Sequence, residues 1–391
     1  MYQQHTKGGA TGMKQAVRDQ LGRIIATALL ATIVWAWFWR PPFSWTFGVL
    51  VVIGTVGAGI ADGRYALRRI AGVIPVLVGV SFVVFALMAS LPGDPAINIL
   101  GPAATADQIA IVRTELGLDE PFFNRYGNWL GGVLTGDLGT SIVLREDVAD
   151  GISRSMTPTL QIMAYSVVIA LGFAVPLGIW AGYRQGTKTD GTINNVMLGF
   201  LATPNFVLAV MLVLFLAIGG LSVAGNEIGF RVLPAARYVP LGEDVVLHFK
   251  HMLLPSLALA MGQAAVFMRL LRSDMIATLR LPFIDLARSK GLPTRRILWR
   301  HALRPSSFTL LTVVGLTVGL LIGGALIIEF IFTIPGVGAY IFLGVTQRDF
   351  IAVQGGVLVI STLYIVVLTM SDFLYLALDP RLRGREVGSR A

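Results

Sequence analysis

The chain has 391 residues, 55% of them hydrophobic and only 14% charged, with a formal net charge of +9 and a mean hydropathy of +0.73. Soluble chains carry about 25% charged residues, so water is not the solvent for much of this surface, and the two or three soluble domains that length alone suggests are excluded in favour of one helical membrane domain. There are no cysteines, which rules out disulfides, thiolate catalysis and Cys-ligated metals.

About 20 helical residues cross roughly 30 Å of hydrocarbon, and runs of that order predict about eight spans: 24–39, 45–61, 70–90, 159–182, 195–219, 252–271, 307–332 and 355–378. The first is short. Arg23 before it also suits a signal peptide, but no small-residue cleavage site follows and a second apolar run begins at once. Between these two runs lie Trp35, Trp37, Trp39, Pro41, Pro42 and Trp45. A Pro-Pro turn ringed by indoles fits a helical hairpin with its tip at the outer interface; a re-entrant or surface-lying segment fits the same residues. Residues 91–157 are the one sizeable polar stretch outside the membrane. They open on Leu91-Pro92-Gly93-Asp94-Pro95, which cannot continue a helix. Residues 105–117 then read as a helix, with Thr105 as its cap and Gly117 as its end.

Charge orients the chain. If the N-terminus is cytoplasmic, the inside segments hold Arg64, Arg68 and Arg69, then Arg184 and Lys188. They also hold the basic loop of Arg269, Arg272, Arg280, Arg288, Lys290, Arg295, Arg296, Arg300 and Arg304, and the tail of Arg381, Arg383, Arg385 and Arg390. The 91–157 stretch is acidic. Lys and Arg accumulate on the cytoplasmic side, so both termini are expected there. The net charge is therefore a topology signal, and no nucleic-acid partner is implied.

No catalytic or nucleotide motif is present. The nearest approach to a phosphate-binding loop, Gly182 to Thr189, lacks the second Gly before Lys188 and follows a span rather than a strand. His248 and His251 stand three apart with no third ligand beside them. Inside the spans ionisable groups are scarce: Glu329 and Asp372 lie near run ends, and Gln263 is the main polar residue in mid-span. An ion-coupled carrier would need more. Glu329, ahead of Pro335-Gly336, is expected to cap or orient a turn at the outer mouth without carrying protons, so Glu329→Gln is expected to be tolerated. Gly315, Gly319, Gly323 and Gly324 read as close-packing positions or as ordinary membrane glycines.

The loop 272–305 contains Phe283-Ile284-Asp285-Leu286-Ala287-Arg288-Ser289-Lys290-Gly291-Leu292-Pro293. This reads as a helix of about two turns. Asp285 lies near its positive end, Gly291 at the left-handed position that closes it, and Pro293 beyond. Such a helix, judged to have nothing of its own to bury against, either lies on lipid headgroups or docks in a groove of a cytoplasmic partner.

Here the chain resembles the permease subunits of ABC importers, whose cytoplasmic E-A-A-x3-G-x9-I-x-L-P loop docks on an ATPase. Asp285, Leu286 and Ala287 stand for E-A-A, and the spacing to Gly291 is kept. His301 replaces Ile, Leu303 fits, and Arg304-Pro305 replaces a single Pro. The resemblance is to the dipeptide/oligopeptide branch, B-type subunit, and other segments carry it too. They are Arg68-Arg69-Ile70 with Leu91 to Ala96, Gly136-Asp137-Leu138-Gly139-Thr140-Ser141, Lys290 to Pro293 with Arg300 to Arg304, Glu329 to Gly338, and Leu378-Asp379-Pro380-Arg381.

The resemblance implies an all-α polytopic inner-membrane protein of a bacterial cell. A six-helix permease core spans residues 68–383, with an extracytoplasmic insert at 91–157 and a coupling loop at 272–305. Residues 1–67, the two-helix extension that the apolar runs predict, precede the core and fall outside the resemblance, and a cytoplasmic tail, 384–391, follows it. It implies half of a pathway shared with a C-type permease, two ABC ATPases below and a substrate-binding protein outside. The ATPase contact falls on Phe283, Ile284, Asp285, Leu286, Ala287, Arg288, Lys290 and Gly291, with small Ala287 facing the partner. ATP and Mg²⁺ belong to the partner ATPases; this chain is expected to hold no cofactor or metal and to be no enzyme. Peptides are the expected cargo; nickel chelates, glutathione and haem are alternatives, as is, from a different class, an ion-coupled carrier.

Overall fold

A computed structural model describes residues 63–90, 95–100, 104–115, 117–141, 143–218, 221–223, 226–228 and 232–378. The predicted spans 24–39 and 45–61 and the 384–391 tail lie outside the described residues. The described chain is almost entirely helical and divides into two compact units. One comprises the residues up to Asp150 together with those from Arg348 onward; the other is Gly151–Gln347.

In the first unit, α1 (Gly63–Ser90) packs along α12 (Phe350–Leu378). The short α2 (Pro95–Leu100) and α3 (Ala106–Glu115) follow α1. Thr105 and Gln108 cap α3 reciprocally, each side chain bonding the other's backbone N–H. The next helix, α4 (Phe122–Thr135), sets Phe122, Tyr126 and Trp129 against Phe85 of α1. A two-stranded hairpin, β1 (Thr140–Ser141) and β2 (Glu146–Asp147), follows in antiparallel register. Asp349 holds it. Its carboxylate accepts from Ser141 Oγ and the Val143 N–H while also capping α12 through the Ala352 N–H at 3.1 Å.

The second unit contains most of α5 (Val148–Tyr183), then α6 (Lys188–Ala202) and α7 (Asn205–Val213), the latter continued by a π-helical turn to Ile218. A small hairpin pairs β3 (Leu221–Val223) with β4 (Asn226–Ile228). After it come α8 (Val245–Leu279), α9 (Pro282–Ser289), α10 (Thr294–Ile331) with a π-helical stretch over Ile297–Ala302, and α11 (Val337–Thr346).

Five described helices are long and apolar enough to cross a membrane, and α6 with α7 forms a sixth candidate bent by 100°. The continuous helix predicted over 195–219 is thus corrected to two helices that meet at a sharp bend. Pro204 disfavours helical geometry at the residue before it, and Thr203 sits at φ −88°, ψ 121°.

Core helix contacts are close where glycines face a neighbour. A Cβ at Gly182 of α5 would lie 2.9 Å from the Met275 Cβ of α8, and one at Gly178 would lie 3.1 Å from Leu271. The glycines of α10 do less. Gly324 faces Leu259 at van der Waals distance, and Gly323 faces open space.

Candidate functional site

The loop between α8 and α10 is short because α8 continues to Leu279, well past the predicted span end at 271. Pro282 opens α9 at its first position, where the missing N–H costs nothing. The far end is a Schellman closure. Gly291 has φ +72°, its N–H reaches Arg288 O at 2.9 Å, and the Leu292 N–H reaches Ala287 O at 3.3 Å. Asp285 in the first turn and Arg288 in the last complement the helix dipole and pair at 3.2 Å in an exposed contact.

The sequence reading that this helix has nothing of its own to bury against is overturned. Ile284 is 0% exposed and Ala287 7%. Both join a cluster with Met275, Ile297, Leu298 and Ala302. Positions three apart share a helix face, and α8 and α10 extend far enough to provide its floor. Ala287 therefore faces its own chain and not a partner. The free side of α9 carries Phe283 and Leu286, 42% and 57% exposed, together with exposed Asp285, Arg288, Ser289, Lys290 and Gly291.

Beside this loop the structure brings together a pair that sequence reasoning missed. Asp190 of α6 accepts from Arg272 of α8 twice, Nε to Oδ1 and Nη2 to Oδ2, each at 2.6 Å. It also accepts from the Gly186 N–H at 3.0 Å and Asn194 Nδ2 at 2.7 Å. Such a bidentate, nearly buried pair fixes geometry as well as charge. It ties the start of α6 to α8 about two turns before that helix ends at Leu279. Arg272 reads in the sequence only as a topology charge, and nothing local to either residue announces the other.

At the opposite end of α10, Glu329 is fully buried. Its carboxylate accepts from Thr159 Oγ1 at 2.6 Å and from the Ala339 N–H in the first turn of α11 at 3.0 Å. Its backbone O accepts the Ile334 N–H at 2.8 Å, closing α10 over Thr333 at φ +53°. Pro335 follows in the turn, and Gly336 begins α11 with its O accepting the Tyr340 N–H at 2.9 Å. A Cβ at Gly336 would overlap the Glu329 carboxylate.

Nearby in sequence to the start of α8, His248 is fully buried. Its Nδ1 faces Val239 O at 2.6 Å and its Nε2 faces Tyr165 Oη at 3.1 Å. Both nitrogens thus have partners within the chain, and among the described residues no group of three His, Asp or Glu is arranged to hold a metal. In the loop before α8, burial pushes the Tyr238 phenol above its ordinary value, so it remains a neutral donor to Gln161 Oε1 at 2.9 Å.

Comparison with known proteins gives these features a setting. Residues 174–384 match the family described as binding-protein-dependent transport system inner membrane component, and residues 63–162 match its N-terminal companion. A dipeptide transport system permease protein of Alkalihalophilus pseudofirmus is 32% identical over 82% of this chain and 99% of its own length. A putative peptide transport system permease protein of Brucella abortus is 33% identical over 81% and 98%. A glutathione transport system permease protein of Escherichia coli is 33% identical over 82% and 99%. With these matches over most of its length, its apolar helices and its short loop helix, the chain belongs to the family of inner-membrane components of binding-protein-dependent transport systems.

Proposed function

We propose that this chain is the B-type permease subunit of an ATP-driven importer for dipeptides and oligopeptides. It pairs with a C-type permease to form the pathway. Two ATPase subunits, which bind the ATP and Mg²⁺, dock below, and an extracytoplasmic binding protein delivers substrate above. Both termini face the cytoplasm. Peptides are favoured because similar permeases named for dipeptides or peptides predominate among the relatives described; the glutathione permease keeps a small modified peptide as the second cargo.

The observation that carries the coupling role is the two-sidedness of α9. Ile284 and Ala287 fix it to its own chain, while Phe283 and Leu286 are left exposed on the other side. Two apolar side chains on a rigidly seated helix suit a groove in a partner. ATP-driven motion of that partner reaches α8 through α9 and α6 through the Asp190–Arg272 pair. The test is Leu286→Asp in the purified complex. It touches no described contact within the chain, so the permease folds and inserts, but ATPase subunits no longer co-purify and binding protein no longer stimulates hydrolysis. Leu286→Trp separates the lipid-surface alternative, since indole is welcome at a headgroup interface and too large for a fitted groove. Full transport by both variants sinks the coupling role of α9.

A further inference from the structure

A second exposed strip lies next to α9. Between Asp285 and Glu329 the sequence contains no carboxylate, yet the start of α10 holds Arg295, Arg296, Arg300 and Arg304. All four are exposed, as is Trp299 at 49%. Ile297, Leu298, Ala302 and Ser306 are buried on the other side, so the basic positions and the indole share the outward side of one helix. No carboxylate among the described residues pairs with any of these arginines.

Basic residues and a tryptophan at the end of a span ordinarily mean lipid headgroups. The register of the helices decides against that. Ser306 Oγ bonds Thr278 Oγ1 at 2.9 Å, which sets the start of α10 level with the end of α8. Arg269 is the first charge on α8 after its apolar run and is exposed, so the hydrocarbon ends near it. From Arg269 to Thr278 an α-helix rises about 14 Å, and Ser306 to Arg300 adds about 8 Å. Even counted from Met275, level with Gly182 at the end of α5, Arg300 lies about 12 Å beyond the membrane edge. The headgroup layer is only about 5–8 Å thick on each side, and a 40° tilt would shorten the larger distance only to about 17 Å.

The strip is therefore in the aqueous zone, at the level of α9. We propose that Arg295, Arg296, Trp299 and Arg300 form a second docking surface for a cytoplasmic protein partner with an acidic face, namely the ATPase subunit that receives α9. This rests on the coupling role of α9 given above. The helix supplies apolar fit, and the strip supplies charge complementarity and steering. Four like charges left together without carboxylates repel one another, and an acidic partner relieves that repulsion.

The test compares three forms of the full permease pair, co-expressed with its ATPase subunits: wild type, Arg295→Gln/Arg296→Gln/Arg300→Gln, and Phe283→Ala/Leu286→Ala. ATPase affinity is measured in nanodiscs of neutral lipid and of 30% anionic lipid, from 50 to 300 mM salt. The triple variant is expected to bind about three- to tenfold more weakly at low salt, as three exposed pairs would give, with a flatter salt dependence and no change with lipid charge. Wild-type affinity and salt slope in the triple variant overturn the proposal. So does a loss seen only in anionic nanodiscs, which assigns the strip to lipid. If Phe283→Ala/Leu286→Ala abolishes binding while the triple variant binds normally, the strip fails and the coupling role of α9 survives. If wild type binds no ATPase, both fall.

Discussion

Glu329 works through two groups at once. Its backbone O closes α10 and its carboxylate holds the first turn of α11, so one residue sets the angle between them. Whether its charge is needed follows from the donors around it. The Ala339 N–H requires an acceptor, and an amide oxygen supplies one. The other carboxylate oxygen faces Thr159, a hydroxyl that also accepts from the Val337 N–H at 2.9 Å and lies 3.2 Å from Ser155 O. In Glu329→Gln the Thr159 hydroxyl can turn its proton to Ser155 O and accept from the new amide. Every group stays satisfied, so the variant is expected to melt within about 2 °C of wild type and to transport. Glu329→Leu leaves the Ala339 N–H without its partner, at about 1–3 kcal/mol for one buried group, while Thr159 keeps Ser155 O and the Val337 N–H. Its apparent Tm in detergent is expected to fall by about 3 °C or more. A large transport loss in Glu329→Gln with unchanged melting would mean that the proton itself matters.

At the scale of elements, α9 was legible in its ends but not in its faces. Gly291 and Pro293 act on the backbone beside them, so the sequence alone locates the end of the helix to within a residue, and the start falls one residue earlier than read because Pro282 occupies its first position. Which side is buried depends on Ile297 and Leu298, and on how far α8 runs past Arg272, and neither is local. The assignment of Ala287 to the partner failed for that reason, and Ala287→Trp would now disturb the chain's own packing before testing any docking. The same limit applies to glycines. The run in α10 draws attention by its density, but the tight contacts are made by Gly178 and Gly182, whose partners lie on α8. Gly182→Leu is expected to force α5 and α8 apart, costing about 1–3 kcal/mol. It should also disturb the Asp190–Arg272 pair, because Arg272 lies against the same glycine. Thermal unfolding of Gly182→Leu checks the first effect. If it melts like wild type, the close approach of α5 and α8 is not needed for stability.

For the whole molecule the open question is whether the bent α6–α7 pair crosses the membrane or turns back, because that decides on which side each later segment emerges. The directions of its neighbours answer it. Gly178 lies against Leu271 and Gly182 against Met275, while Tyr165 bonds His248 further up. Contacts that advance together along both chains make α5 and α8 parallel. Two parallel crossings require the segment between them to return to the starting side, so α6 and α7 together make one full crossing, broken at Pro204. By contrast α8 and α10 are antiparallel, since Thr278 meets Ser306 and Leu259 meets Gly324. The 10 residues of α11 span about 15 Å, too short to cross. With α1 and α12 as further candidate spans, the proposed topology has six crossings and puts both ends of this core in the cytoplasm, the side that the basic loops favour. Single cysteines at Ala104 and Ser389, in a chain with no native cysteine, provide the measurement. In intact cells a membrane-impermeant maleimide is expected to label Ala104→Cys only, and Ser389→Cys is expected to react after the cells are opened. Labelling of both from outside would mean an odd number of crossings, and the α6–α7 pair would then have to be re-entrant, against the parallel packing of α5 and α8.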